Sequence, residues 1–163
     1  MDKIQLLYVE NVISRKKRVA RQELAFFLLV ENVSYDKQVD IVWAGEDEVW
    51  HTLSAHYHGT LGQGMEYWSA RMAFRLTAQR SLPGNIRFGL RYRTQGQEFW
   101  DNNEGWNYTS QADSGIQLAP DLRMLNIGFE GNLKDRQKSV PITVAVDRGL
   151  QAERVIVHWT TAV

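Results

Sequence analysis

The sequence predicts an all-β protein, an antiparallel sandwich or barrel with a further β segment at its C-terminal end. Short runs in which apolar and polar residues alternate recur along the chain, which is the period of a strand with one buried face. Clusters rich in glycine and asparagine separate these runs, as turns do in antiparallel sheets. No segment has the apolar stripe of a long amphipathic helix.

The individual strands follow from these runs. Residues 24–30 are uniformly apolar, which is typical of a strand that is covered on both faces. Alternation predicts further strands at residues 39–43, 70–76, 86–92, 142–146 and 155–159. In the run that starts at Ile86, one face is apolar and the other is basic, so this strand is expected to have one buried and one solvent-facing side.

Composition excludes several classes of protein. The chain has 163 residues with 19 basic and 19 acidic side chains, so its formal net charge is zero, which argues against nucleic acid as a partner. It has no cysteine, which excludes disulfides, thiolate nucleophiles and cysteine-ligated zinc. Its first residues lack a signal-peptide pattern, and residues 24–30 are too few to span a bilayer. We therefore expect a cytoplasmic protein that makes no membrane contact.

The most informative stretch is residues 99–108, which place aromatic rings, amides and a carboxylate directly after a predicted strand. Sugars require this mixture, because their hydroxyls pair with planar amide and carboxylate groups while their C–H faces lie on aromatic rings. The other interpretation is a tight hairpin whose aromatic residues pack inward, since Asn and Asp also favour turns. Composition alone leaves both interpretations open.

Several strings occur in a fixed order along the chain. They are V-E-N-V-S-Y-D-K-Q-V at residues 30–39, Trp50 with Ala55 and Tyr57, E-Y-W at residues 66–68, Phe88 with Tyr92, and W-D-N-N followed by N-Y within residues 100–108. Together they resemble carbohydrate-binding module family 21, which includes fungal glucoamylase starch-binding domains and glycogen-targeting phosphatase subunits. The similarity covers about residues 4 to 110. It implies an immunoglobulin-like β-sandwich that binds α-glucan (glycogen, starch or maltooligosaccharide) without cleaving it and without a cofactor or metal.

The resemblance also implies two sugar sites. The first is built around Trp50 and Trp100, with Asn102 as a hydrogen-bonding partner. Its full set of residues is Trp50, Trp100, Asp101, Asn102, Asn103, Trp106 and Asn107. A third aromatic platform of the family aligns with Gly89, so this site is expected to be shallower or to rely on Trp106. The second site is implied at Tyr35, Lys37, Tyr57 and Tyr67.

The C-terminal third of the chain has no counterpart in a single module of this family. We expect a module at residues 1–112 and an additional β segment at residues 113–163. The spacing of Val30, Val39 and Trp43 recurs in Val146, Val155 and Trp159, and three identities leave a partial second copy and a chance match equally open. Because such a fragment cannot bury a core alone, we expect it to pack on the module or to form a homodimer.

Catalysis and metal binding are weaker interpretations. Asp101 with Glu104, or Asp47 with Glu48, supplies the two carboxylates of a glycosidase, but acids in turns are usually solvated and the chain is short for a deep cleft. His56 and His58 would share one face of a strand and, with His51 from a loop, admit a metal site, although surface positions are the favoured interpretation.

Nucleic acid and a phosphatase are two further candidate partners, and the sequence favours neither. A basic stripe at Arg87, Arg91 and Arg93 is more typical of the wet side of a strand than of a nucleic-acid surface, because it lacks interleaved aromatic rings. Phosphatase-targeting members of the family dock through a basic–Val–x–Phe segment. Here Val19 is followed two residues later by Arg21, so the aromatic anchor is missing and phosphatase docking is not expected.

Overall fold

The structure is a computed structural model that describes residues 2–127 and 142–158. Its strands are β1 (Ile4–Lys16), β2 (Val19–Glu31), β3 (Lys37–Ala44), β4 (Trp50–Ser54), β5 (His56–Gly62), β6 (Met65–Arg75), β7 (Ile86–Thr94), β8 (Gln97–Asp101), β9 (Tyr108–Ser110), β10 (Gly115–Leu118), β11 (Met124–Asn126) and β12 (Val144–Val146). A single 3-10 turn follows within the described residues, at Arg148–Leu150. The chain divides into two compact units, Met1–Ala119 and Pro120–Val163.

The first unit contains two antiparallel sheets. One has the strand order β10-β1-β2-β6-β5, and the other has the order β4-β3-β7-β8 with β9 also pairing with β7. We call them the first and second sheet. The prediction of an all-β antiparallel fold is confirmed. Strand β10 pairs with β1 and thus belongs with the first unit, although it lies beyond the predicted module boundary at residue 112.

The core lies between the inner faces of these sheets. Phe26 of the first sheet meets Phe88 of the second edge to face, with ring centroids 4.9 Å apart, and both side chains are fully buried. The uniformly apolar run in β2 is also covered on its outer side, where Phe27 stacks on Tyr8 at 4.0 Å and lies under Arg71 at 5.0 Å. The prediction of a strand buried on both faces is therefore confirmed.

The second unit contains a short β ribbon. Strands β11 and β12 pair antiparallel, and Arg123 donates to Asp147 across a 2.7 Å ion pair at the end of β12. The predicted strand at residues 142–146 is confirmed for its last three residues. The predicted strand at residues 155–159 is wrong for residues 155–158, and Trp159 lies outside the described residues. In the part of the chain that the structure describes, no strand pairs with residues 155–158, and a strand without a ladder leaves its backbone groups unpaired.

Candidate functional site

The outer face of the second sheet brings the two tryptophans of the predicted first site onto one surface. In the ladder, Trp50 lies opposite Ala44 and Ala44 lies opposite Arg87, while Trp100 lies opposite Arg91. Residues that are directly opposite in a sheet point to the same side, and positions four apart on β7 do so as well. Both indoles therefore belong to one face.

We call this surface the tryptophan face; it consists of Trp50, Arg87, Gly89, Arg91 and Trp100. Trp50 and Trp100 are 46% and 45% exposed, so both residues are open to solvent. The guanidinium of Arg87 lies 5.9 Å from the Trp50 ring and that of Arg91 lies 5.7 Å from the Trp100 ring. Each ring thus has a cation–π contact with an arginine of β7 while about half of the residue stays exposed to solvent.

Gly89 lies between Arg87 and Arg91 on β7. Because it has no side chain, the loop at residues 102–107 can pack closely against the sheet at this position. A Cβ on Gly89 would lie 3.1 Å from the Cβ of Asn102 and 3.6 Å from Oδ1 of Asn107. The place of the third aromatic platform is thus filled by these asparagines of the loop. As a result, amide groups rather than a ring lie between the two tryptophans.

The loop at residues 102–107 is held by hydrogen bonds of its own. Oδ1 of Asn102 accepts from the backbone N–H of Gly105 at 3.0 Å, and Nδ2 of Asn103 donates to the carbonyl of Asn107 at 3.2 Å. Within the described residues, Nδ2 of Asn102 and the side-chain amide of Asn107 make no hydrogen bond, so both are available to a ligand. Trp106, at the tip of the loop, is 83% exposed.

Asp101 supports the fold beneath this loop. Its Oδ2 accepts from the backbone N–H of Leu6 at 2.9 Å, and its Oδ1 accepts from the hydroxyl of Tyr108 at 2.6 Å. Both carboxylate oxygens therefore have partners inside the protein. The structure indicates that Asp101 anchors the loop to β1.

A buried carboxylate that the sequence did not single out holds Arg91 of the tryptophan face together with Arg93. Asp40 is fully buried and accepts from Arg91 at 2.9 Å, Arg93 at 3.2 Å and Ser54 at 3.0 Å. Burial alone would raise the pKa of Asp40, but these hydrogen bonds and the positive charge of Arg91 outweigh it and lower the pKa. The sequence contains an acid in β3 and arginines in β7, which could have indicated this ion pair. The two strands could be matched only once their register, with Asp40 opposite Arg91, was known.

Lys37, from the predicted second site, has its charge paired inside the protein. Its Nζ donates to both carboxylate oxygens of Glu66 at 2.9 Å and to Oδ1 of Asn32 at 2.6 Å, and its side chain is only 6% exposed. Trp68 donates its indole N–H to the same carboxylate at 2.9 Å. We call these four residues, Asn32, Lys37, Glu66 and Trp68, the lysine cluster.

The three tyrosines of the predicted second site have different surroundings. Tyr57 is 52% exposed and meets Trp68 edge to face at 5.9 Å, while Tyr35 is fully exposed in the loop before β3. Tyr67 precedes Trp68 on β6 and so faces the other side of the sheet, where it packs 5.6 Å from His58 and burial raises its pKa. The structure therefore links Tyr57 with the lysine cluster but does not bring Tyr67 to the same face of β6.

Chemistry other than binding has little support at these positions. Among residues 2–127 and 142–158, no group of three His, Cys, Asp or Glu side chains is placed to hold a metal ion. His58 hydrogen-bonds Ser69, and His51 packs 4.9 Å from the buried Trp43. Asp47, proposed above as a carboxylate pair with Glu48, accepts from the N–H of Val49 at 3.1 Å.

The valine of the phosphatase-docking pattern lies within a strand. Val19 stands where the phosphatase-docking pattern basic–Val–x–Phe has its valine. It is the first residue of β2 and pairs with Lys16 across the hairpin.

Over the described ranges, no helix is long and apolar enough to cross a membrane.

Known proteins resemble part of this chain in sequence. The profile of the carbohydrate/starch-binding module family 21 matches residues 3–111. Mouse protein phosphatase 1 regulatory subunit 3E is 38% identical over 82 residues, which are 48% of this chain and 28% of that protein. Glucoamylase 1 of Rhizopus oryzae is 29% identical over 86 residues, which are 50% of this chain and 13% of that protein. The chain thus spans less than a third of the curated relatives that it matches.

The fold also matches a solved structure. The starch-binding domain of Rhizopus oryzae glucoamylase, solved in complex with beta-cyclodextrin and maltoheptaose, superposes with a TM-score of 0.50 at 20% identity. The superposition covers 69% of this chain and 95% of that domain. At this level of identity, the similarity concerns the fold alone.

Proposed function

Because the chain belongs to carbohydrate-binding module family 21, we propose that it binds α-glucan through the tryptophan face without cleaving it. The observation that carries the proposal is the pair of half-exposed tryptophans on one sheet face, with the side chains of Asn102 and Asn107 over Gly89 between them. The apolar C–H face of a glucose unit stacks on each indole, and its hydroxyls pair with the amides of Asn102 and Asn107.

The distance between the rings favours a chain over a single sugar. Trp50 and Trp100 are separated by three strand spacings and four residues along the strands, which places their Cα atoms about 19 Å apart. One monosaccharide cannot reach both rings. We therefore propose a ligand of several linked glucose units, as in soluble starch, glycogen or a maltooligosaccharide.

Several features favour binding without hydrolysis. A glycosidase needs one carboxyl group as an acid and a second as a base or nucleophile on either side of the scissile bond. Here both oxygens of Asp101 are engaged by Leu6 and Tyr108, and Asp40 is buried under arginines. Two further carboxylates near the rings are also engaged, since Glu98 accepts from the indole N–H of Trp100 at 2.7 Å and Glu48 pairs with Arg87 at 3.6 Å.

Calorimetry with maltoheptaose tests the proposal. Trp50→Ala and Trp100→Ala each remove a stacking surface, which costs about 1–3 kcal/mol of binding free energy, or about a 5- to 150-fold loss of affinity. Val12→Ala is the matched control, because Val12 is a 40%-exposed apolar residue on the first sheet. We expect Val12→Ala to bind as the wild type does.

Three results would contradict the proposal. Wild-type protein that gives no heat with maltoheptaose and migrates without retardation in glycogen-containing native gels would remove α-glucan binding. Unchanged affinity in both tryptophan variants would move the site elsewhere. Release of reducing sugar by the purified protein would show cleavage.

The C-terminal segment is proposed to mediate a homodimer or to pack on the module, as the sequence predicts. Its exposed apolar side chains support an interaction role, since Val155, Ile156 and Val157 are 45%, 59% and 45% exposed. Sedimentation equilibrium over a range of concentrations tests the dimer. Docking to a phosphatase through Val19 is not proposed, because this residue is paired within the β1–β2 hairpin.

A further inference from the structure

A dense group of positive charges lies at the end of the β1–β2 hairpin, on the first sheet and away from the tryptophan face. Lys16 ends β1, Lys17 and Arg18 form the turn with φ values of 48° and 67°, and β2 then begins at Val19. The exposed cations of this region are Arg15, Lys16, Lys17, Arg18, Arg21 and Arg75. The formal net charge of the whole chain is zero, so these positive charges are concentrated in one region and do not reflect an overall excess of basic residues.

Four of these cations line one cleft. The cleft has a volume of about 560 Å³ and is lined by Lys16, Lys17, Arg21 and Arg75, with Val19 and Ala73 among the residues of its floor. No carboxylate lines it. A concave site of this size suits a small molecule, whereas a membrane or a nucleic-acid duplex needs a broad surface.

The ladder makes this charge costly in the unliganded protein. Arg21 lies directly opposite Arg75 on the neighbouring strand, and like charges in this position destabilise a sheet. Within the described residues, the ion pair recorded for the four lining cations is that of Arg21 with Glu23, at 4.0 Å between two well-exposed side chains. A bound anion would remove the repulsion that Glu23 leaves uncompensated.

We propose that this cleft binds a small soluble ligand that carries clustered phosphate groups. Guanidinium groups match phosphate oxygens with paired hydrogen bonds, and lysine ammonium groups add mobile positive charge. Four cations in one cleft exceed the charge of a single phosphate monoester, so a ligand with more than one phosphate fits best. The cleft lies on the opposite sheet from the tryptophan face, and thus it acts independently of α-glucan binding.

Calorimetry with inorganic tripolyphosphate at low ionic strength tests this proposal. We expect one site per chain, and at least about tenfold weaker binding in the double variant Arg21→Gln/Arg75→Gln, because each lost charged hydrogen bond costs about a factor of ten. The variant Lys16→Gln/Lys17→Gln, altered at the hairpin tip, should weaken binding similarly without touching the β2–β6 ladder. The control Arg148→Gln/Arg154→Gln removes the same charge from exposed positions in the second unit and should bind as the wild type does.

Three results would contradict the proposal that the cleft binds phosphate groups. No binding of tripolyphosphate by the wild type would overturn the proposal, as would equal weakening in the control, which would indicate unspecific ion attraction. Binding to vesicles of anionic phospholipid without binding to tripolyphosphate would assign the charges to a membrane surface instead. Maltoheptaose affinity, measured in the same variants, reports separately on the tryptophan face and should not change.

Discussion

On the tryptophan face, the indoles of Trp50 and Trp100 are nearly half exposed, and their arginine neighbours lie against one side of each ring. In the lysine cluster, the side chains of Lys37 and Glu66 are only 6% and 8% exposed and neutralise each other. Both regions combine an aromatic ring, a cation and an amide. The difference lies in exposure: the rings of the tryptophan face stay accessible to solvent, whereas the lysine cluster buries its charged atoms against each other.

The largest effect is expected from Lys37→Ala. It leaves the buried carboxylate of Glu66 without its cation, which costs about 3–5 kcal/mol of unfolding free energy. Urea denaturation measures this loss. The matched control is Lys3→Ala, because the Lys3–Glu31 pair has the same 2.8–2.9 Å geometry but side chains that are 37% and 32% exposed, and it should lose less than about 1 kcal/mol. Equal losses in the two variants would erase the distinction between the regions.

Asp40→Asn should have the next largest effect. It removes charged hydrogen bonds to Arg91 and Arg93, at a cost of about 1–3 kcal/mol near neutral pH. The folded-state pKa of Asp40 is lowered from 3.8, so its stabilisation is present above that value and is lost as the pH falls through the folded-state value. Denaturation at pH 7 and at pH 3 should therefore show a smaller acid-induced loss in the variant than in the wild type. The exposed Asp121→Asn is the control, and an identical acid response in Asp40→Asn would contradict the assignment.

Gly89→Val probes the loop over the tryptophan face. The added side chain meets Asn102 and Asn107, which costs about 1–3 kcal/mol of stability and moves the amides away from the indoles. Maltoheptaose affinity should fall even where the protein stays folded. Gly59→Val provides the comparison, because a Cβ at Gly59 meets no atom within 4 Å. Wild-type affinity in Gly89→Val would mean that the amides do not contribute to the site.

The smallest effect is expected from Tyr57→Ala beside the lysine cluster. The half-exposed ring offers a second contact to a long glucan, and a second contact acts through effective concentration. We expect the wild type to bind long α-glucan chains more tightly than maltoheptaose. Tyr57→Ala should lower only the long-chain affinity, by up to about tenfold. Equal affinities of the wild type for short and long chains would show that the tryptophan face works alone.

The sequence predicted those parts of the molecule that depend on local pattern. Alternation from Ile86 to Tyr92 was sufficient to place β7 and to separate its buried side from its basic side, because the period of a strand is a local property. The pairing of Trp50 with Trp100 came from the resemblance to the family and not from the pattern itself, and both residues are about half exposed in the structure.

The sequence pattern could not predict contacts between residues that are far apart in the chain. Asp40 looks like any acid on the wet side of a strand, and its burial under Arg91 depends on the pairing of β3 with β7. Lys37 was predicted to meet sugar, yet its distance to Glu66 is decided by the packing of two sheets. The run that begins at Val155 has the composition of a strand, but a strand also requires a neighbour with free backbone groups.

The loop at residues 102–107 has a consequence for the speed of binding. Asn103, Glu104, Gly105 and Asn107 all have positive φ, at 53°, 56°, 94° and 61°, a backbone shape that a free peptide rarely adopts. Hydrogen bonds within the loop keep that shape in the absence of ligand. An arriving glucan therefore does not wait for the loop to fold, and association is governed by diffusion and by the alignment of the sugar rings. Differences in affinity among related glucans will accordingly appear in how long each one stays bound.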